Sequence, residues 1–278
     1  MGSKMNANPP PSPPLQKGGE VPSPPFLKED LGGLLIGRRT ALLFLFTLLL
    51  GCGKESTISD LEPPPALQFV PRSADTALIE LGIDAVPDGD YISISWFSSD
   101  APDIEGYRLY RRAEDSSEAV PRDLVADLDL GLLGLKSVYS YTDNSEILFT
   151  DSSEGFYYWI TAYDESGNES GYSEEAYYRL MPQSDLQAPV VLGDTLRLSW
   201  NYTGQPFDVD YYVVRLFKEE SGVFTPFWLL KYDLYNLDPV DYVGTLEPGN
   251  YRYQVDVIGA SPQEFPSGSE AAYSFQYP

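Results

Sequence analysis

Cys52 carries the only thiol of the 278-residue chain, and it stands two residues after the apolar run Ala41–Leu50. A thiolate is a nucleophile that can be alkylated, oxidised to a disulfide or used as a metal ligand. One cysteine can form neither an internal disulfide nor a cluster of thiolate ligands. The chemistry that remains for Cys52 is covalent modification by another molecule.

Histidine is absent from the sequence, whereas 42 residues are Asp or Glu. Its absence removes the commonest general base, the commonest zinc ligand and the base of Ser/His and Cys/His nucleophile pairs. Carboxylate pairs such as Asp88/Asp90 and Glu174/Glu175 would need a deep cleft to work as they do in glycosidases. We therefore expect a solvated acidic surface, no enzyme activity and no cofactor.

The turn sequence "DESGNES" offers a second kind of chemistry. Asp164, Ser166 and Asn168 alternate like the first oxygen ligands of a calcium loop. The fixed glycine spacing and the distal bidentate glutamate of such a loop are missing. A tight hairpin explains the same residues, so we expect no metal site here.

The aromatic run "FYYWITAYD" (Phe156–Asp164) has the period of two that is typical of a strand. The expected inward residues are Phe156, Tyr158, Ile160 and Ala162, and the outward ones are Tyr157, Trp159, Thr161 and Tyr163. Tyr110, on a neighbouring predicted strand, joins the outward set. Such a surface would stack on sugar rings or on a protein partner. The alternative is that a neighbouring domain or flanking side chains cover it.

A second aromatic group stands in "FTPFWLLKYDLY" of the C-terminal half. Phe224, Phe227 and Trp228 place three large apolar side chains in what the sequence predicts to be a short connection. They would cap an open sandwich end or pack against the first domain. A partner-binding patch is the alternative.

The net charge of the chain is -24, and residues 1–51 contribute +2 to it, so the part from Cys52 onward carries about -26. A field of this sign repels nucleic acid and anionic lipid surfaces. Nucleic acid is therefore excluded as an expected partner.

The segments around Cys52 have the composition of a targeting region. Residues 1–37 are rich in Pro and Gly, which predicts disorder, and "SPPLQKGGE" is echoed by "SPPFLKEDLGG". The echo resembles a translated intergenic repeat, so we expect natural translation to start near Leu34–Ile36. The alternative is a genuine Pro-rich disordered leader. Arg38 and Arg39 then precede an apolar core of about ten residues, which suits a signal peptide and is too short to span a bilayer.

The tetrad Leu49-Leu50-Gly51-Cys52 resembles the lipobox of bacterial lipoproteins. The resemblance implies a diacylglycerol on the Cys52 thiol, cleavage before Cys52 and acylation of the new amino terminus. Gly53, rather than Asp, follows the cysteine, and this favours the outer membrane. The Arg38-Arg39 pair leaves a twin-arginine signal as an alternative export route.

From about residue 67 the pattern becomes one of short alternating strands between turn clusters, which predicts antiparallel sandwiches. The pattern occurs twice: "YISISW" matches "TLRLSW", and "GYRLYRR" matches "YYVVRLF". Trp96 and Trp200, which end the first pair, stand 104 residues apart. The spacing indicates an internal duplication of one sandwich domain.

Both halves resemble fibronectin type III domains. The resemblance is carried by Trp96 and Trp200 on the second strand, by Tyr107 and Tyr212 on the third, and by the motifs "DIEGYRLYRR", "YYWITAYDESGNES" and "LEPGNYRYQVDV". It covers about residues 67–278. It implies an all-β fold of two tandem immunoglobulin-like sandwiches, and it names no ligand.

The predicted parts of the chain are a leader, a lipoprotein signal peptide, a polar linker and two fibronectin type III-like domains, at residues 1–37, 38–51, 52–66, 67–181 and 182–278. We expect a non-enzymatic, lipid-anchored protein of the bacterial cell envelope that binds an envelope protein or a glycan. The alternative is a carbohydrate-binding accessory lipoprotein of a polysaccharide-processing system.

Overall fold

The computed structural model describes residues 61–87, 89–145, 154–205, 208–233, 239–260 and 265–278. Cys52 and the residues Leu49, Leu50 and Gly51 of the predicted lipobox lie outside this part of the chain, as do the predicted leader and signal peptide. Within the described ranges, no helix is both long enough and apolar enough to cross a membrane.

The first sandwich has two sheets, with strand orders β1-β2-β5 and β4-β3-β6-β7. Its elements are β1 (Ile83–Val86), β2 (Gly89–Phe97), β3 (Ile104–Ala113), β4 (Asp123–Asp129), α1 (Leu130–Leu133), β5 (Val138–Asp143), β6 (Phe156–Asp164) and β7 (Ala176–Leu180). Strands within each of these sheets are antiparallel.

The second sandwich repeats this arrangement, with orders β9-β10-β14 and β13-β12-β15-β16 and a small β8-β11 pair. Its strands are β8 (Ser184–Leu186), β9 (Val190–Leu192), β10 (Thr195–Leu198), β11 (Trp200–Tyr202), β12 (Val209–Glu220), β13 (Val223–Tyr232), β14 (Val240–Val243), β15 (Gly249–Gly259) and β16 (Ser267–Tyr277). The predicted all-β fold class is confirmed.

Each sandwich has its own hydrophobic core, built around one tryptophan. The Trp96 ring meets Tyr107 edge-on at 5.7 Å between ring centroids, and Trp200 meets Tyr212 in the same way at 5.5 Å. The two cores divide between Leu180 and Met181. The alternation of inward and outward side chains along the strands thus places one tryptophan–tyrosine pair in the core of each half.

The two sandwiches share a sheet, because β7 pairs in parallel with the start of β16. The four strands on each side thereby form one eight-stranded sheet, β13-β12-β15-β16-β7-β6-β3-β4. Gly268 lies at this contact, and a Cβ there would stand 2.5 Å from the carbonyl oxygen of Val257 on β15. Glycine therefore permits the close approach of β15 to β16 beside the joint.

An insertion interrupts the first strand of the first sandwich. Phe69 pairs with Trp96, and pairing with β2 resumes only at Ile83. We call the intervening residues, 71–82, the clasp, because they reach the second sandwich. The clasp returns to β1 through Gly82, whose φ of +94° is unfavourable for other residues.

The connection between β3 and β5 holds both a strand and a short helical turn. Asp123–Asp129 forms β4, and α1 follows it directly. Leu130 and Leu133 pack against the first core. Leu132 and Leu135 point away from it and are 88% and 91% exposed.

Candidate functional site

The outer face of strands β3, β4 and β6 has the alternation that the sequence predicts. Phe156, Tyr158, Ile160 and Ala162 lie in the first core. Tyr157, Trp159, Thr161 and Tyr163 are absent from that core and lie on the opposite face. Tyr110 stands beside Trp159 in the β3–β6 register and joins this face.

Trp159 does not form an open stacking surface, because its side chain is only 4% exposed. The guanidinium of Arg122 lies 4.2 Å from its ring centroid, and that of Arg112 lies 5.3 Å away. A sugar ring could stack on Trp159 only after Arg122 had moved. These contacts favour the alternative at Trp159, which is cover by flanking side chains. A binding role for Tyr157, Tyr163 and Tyr110 stays a prediction.

Glu169 connects the polar groups of the same face. Its carboxylate accepts hydrogen bonds from Arg108 Nη1 at 2.7 Å, from the Tyr110 hydroxyl at 2.7 Å and from Thr161 Oγ1 at 2.6 Å. Burial, with the hydrogen bond to Glu169, raises the pKa of Tyr110 to about 12. Arg108 also lies 4.4 Å from the Tyr163 ring centroid. The face is therefore held in one arrangement by its own contacts.

The calcium-like residues close a turn. The Asp164 carboxylate accepts hydrogen bonds from the backbone N–H of Ser166 at 2.9 Å, and from the backbone and side chain of Asn168 at 2.8 and 2.9 Å. Burial acts to raise the pKa of Asp164, but these hydrogen bonds lower it below its usual value. The carboxylate stabilises the turn that follows β6, as the sequence predicts.

A groove of about 850 Å³ runs between the N-terminal strand segment and β7. Tyr157 and Tyr177 lie along it with ring centroids 5.0 Å apart, and Phe265 of the second sandwich stands 5.7 Å beyond Tyr177. Exposed Glu174 and Glu175 also line it. Sequence reasoning missed Tyr177 and Phe265, because no local pattern brings residues 88 positions apart into contact.

Three carboxylates meet where the clasp contacts the second sandwich: Glu80 of the clasp, Asp84 of β1 and Glu270 of β16. Their oxygen atoms lie within 4.8 Å of one another. Arg215 of β12 faces the cluster and pairs with Glu80 at 2.8 Å and with Asp256 of β15. The sequence gives no signal for this cluster, because its members come from both sandwiches.

Further charged and titratable groups surround the junction cluster. Arg72 lies 4.0 Å from Asp84 and pairs with Asp75, and the Tyr178 hydroxyl of β7 donates to Asp84 at 2.8 Å. The Tyr211 hydroxyl of β12 donates to Asp75 at 2.7 Å. Five carboxylates thus face two guanidinium groups in a largely buried region.

The excess negative charge at the junction favours bound protons. Burial, aided by Asp84, raises the pKa of Glu80 to about 7. Burial, with Asp84 and Glu80 close by, also raises the pKa of Glu270 well above its usual range. The oxygen spacing is that of a metal site, but Arg215 and Arg72 already supply positive charge there. A proton shared between Glu80 and Glu270 would lower the excess of negative charge at the junction.

Phe224, Phe227 and Trp228 do not stand in a short connection, as the sequence predicts, but on the strand β13. They pack onto their own sandwich. Trp228 and Phe227 meet Tyr242 edge-on at 5.5 and 5.9 Å. Phe224 lies under the guanidinium of Arg252, 4.5 Å from its ring centroid. These contacts favour the structural interpretation, although Phe227 remains 41% exposed.

Taken with the strand orders, these contacts define an all-β protein of two sandwiches joined through one sheet. No protein-family model matches the sequence, and no curated protein matches it significantly. Among solved structures, the chain is similar to the FN1–FN3 domains of chicken CNTN1, with 11% identity and a TM-score of 0.36, over 77% of this chain and 68% of that one. A likeness of this size carries no argument about function.

Proposed function

We propose that the chain is a non-enzymatic binding or scaffold protein of the bacterial cell envelope, with two fibronectin type III-like sandwiches. A lipid on Cys52 anchors it, in the outer membrane. The lipobox resemblance of Leu49-Leu50-Gly51-Cys52 supports the anchor.

The observation that carries the binding role is the joint between the sandwiches. A shared sheet and the clasp hold the two halves as one body, so that surfaces from both contribute to the groove at Tyr177 and Phe265. A fixed composite surface loses little conformational entropy when a partner binds. An envelope protein is the partner class that we assign to it.

The anchor is tested by expressing the full chain in a diderm bacterium with an alkyne-bearing fatty acid. The wild type should carry the label and sediment with outer membranes. Cys52→Ser should lose the label and leave the membrane fraction, whereas the matched variant Ser56→Ala should behave like the wild type. A Cys52→Ser chain that still carries the fatty acid would refute the anchor.

A carbohydrate-binding accessory role is the second candidate, and the groove favours it. Tyr157, Tyr177 and Phe265 offer ring faces and edges, and Glu174 and Glu175 offer hydrogen-bond acceptors for hydroxyl groups. The acidic surface favours a neutral glycan. On a glycan array of neutral polysaccharides, Tyr177→Ala should reduce binding at least tenfold if one aromatic contact supplies about 1.4 kcal/mol, whereas Tyr91→Ala, on β2, should not.

A further inference from the structure

Two leucine side chains stand almost free of the protein at one end of the first sandwich. Leu132 is 88% exposed and Leu135 is 91% exposed, although large apolar side chains usually find cover. They belong to residues 130–137, which we call the leucine loop. Neither leucine contributes to the first core.

The leucine loop is held in shape from within. The Asp129 carboxylate accepts a hydrogen bond from the N–H of Gly131 at 2.7 Å, and the N–H of Gly134 donates to the Leu130 carbonyl at 2.9 Å. The buried Tyr139 hydroxyl donates to the Gly134 carbonyl and accepts from the N–H of Lys136, both at 3.0 Å. The outward position of the two leucines is thus built into the fold.

The same end of the sandwich receives the chain from Cys52. Phe97, the last residue of β2, pairs with Val138 directly after the leucine loop. The N–H of Phe97 also donates to the carbonyl of Gln68, so residues before Gln68 run beyond that end of β2. Leu61 lies nine residues after Cys52, a reach of at most roughly 30 Å for an extended chain.

From this arrangement we infer that the leucine loop docks on the membrane surface, with Leu132 and Leu135 inserted between lipid headgroups. The inference rests on the proposed anchor, which holds this end of the first sandwich at the bilayer. Attachment makes the contact intramolecular, so that two leucines suffice where a free protein would need a larger apolar surface.

The charges around the loop select the kind of lipid. Glu105, Asp129 and Glu165 lie around it, and Lys136 is the base within it. Acidic groups near the surface are repelled by anionic headgroups. The partner surface is therefore zwitterionic, and phosphatidylcholine is a suitable probe.

The sole cysteine makes a direct test practical. The purified full chain is coupled through Cys52 to a maleimide lipid in phosphatidylcholine nanodiscs, and hydrogen–deuterium exchange is compared with that of the chain blocked by N-ethylmaleimide in solution. Amides of residues 131–136 should exchange roughly threefold more slowly, or slower still, on the discs. Amides of residues 114–122, at the opposite end of the sandwich, should not change.

The test variant is Leu132→Ser/Leu135→Ser, which should fold normally because both side chains are exposed. It should lose the slowing, whereas Val120→Ser, which alters a 47% exposed side chain at the far end, should keep it. Equal exchange on discs and in solution, or slowing that survives in the double variant, would overturn the inference. Because the coupling is chemical, this result is independent of whether cells acylate Cys52, which the labelling experiment decides.

Discussion

The guanidinium of Arg215, in the second sandwich, donates from Nε to the carbonyl oxygen of Ala77 in the clasp, 3.0 Å away and 138 residues earlier in the chain. Arg215 also donates to the carbonyl of Asp75 and pairs with Glu80 and Asp256. Its side chain is 1% exposed. One arginine therefore ties the clasp to the second sandwich.

Replacing Arg215 with Met should destabilise the protein by about 3–5 kcal/mol, because it leaves Glu80 and Asp256 without their buried cation. Urea denaturation followed by tryptophan fluorescence measures the change. Arg197→Met is the matched control, since Arg197 pairs with Asp241 on an exposed surface. It should change stability little. A comparable loss in both variants would contradict a special role for Arg215.

Stability should fall as the pH rises from about 5 to 8 because of the junction carboxyls. The pKa of Glu80 rises from its usual 4.5 to about 7 in the folded protein, and that of Glu270 also rises. The folded state thus binds more protons in this range, and the stability gained below pH 4.5 is lost as the pH passes through about 7.

Glu270→Gln should flatten this pH profile and stabilise the protein at pH 8 by about 1–3 kcal/mol, since an amide needs no proton to remain neutral. Melting temperatures measured at intervals across the range give the profile. Glu175→Gln, at an exposed carboxyl, should leave the slope unchanged. A wild-type profile that is flat between pH 5 and 8 would disprove the shared proton.

Gly82→Ala should destabilise the protein by more than 2 kcal/mol, because a positive φ alone costs about 1–2 kcal/mol and the clasp leaves no room for a Cβ. The Cβ would stand 2.7 Å from the Cα of Arg72. Gly222→Ala is the control, because its φ of +84° is similar and its Cβ would meet no atom within 4 Å. Thermal unfolding of both variants separates backbone strain from crowding. Equal losses of stability in the two variants would show that a Cβ at Gly82 is not crowded by the clasp.

Trp159→Ala should cost about 3 kcal/mol in the free energy of unfolding, because it empties a buried site under Arg122. Tyr157→Ala, at a half-buried position of the same strand, should cost less. Chemical denaturation measures both. A Trp159→Ala protein of unchanged stability that loses a ligand would restore the platform interpretation.

The sequence predicts what depends on local alternation. The period of two identifies the inward face of Phe156–Asp164, and the repeated tryptophan and tyrosine positions identify both cores. It also predicts that "DESGNES" closes a turn around Asp164. These features need only the knowledge that successive strand residues face opposite sides.

The junction could not be predicted in this way. Arg215 alternates with Val214 and Leu216 of the second core, and so reads as a solvent-facing residue of β12. It is buried because the clasp covers it, and the clasp looks like an ordinary turn-rich segment. Trp159 misleads for the same reason, since Arg122 covers it from a connection 37 residues away. When residues distant in sequence cover the outer face of a strand, the alternation of residues along that strand does not show it.

The short connection from β7 to β8 determines which contacts bear a mechanical force applied between the two halves. Only residues 181–183 separate Leu180 from Ser184, so there is no slack between the halves. With the proposed lipid anchor in place, a pull between a membrane and a molecule held by the second sandwich would act on the β7–β16 hydrogen bonds and on Arg215. The separation of the two halves is set by folded structure, and it lengthens only when those contacts break.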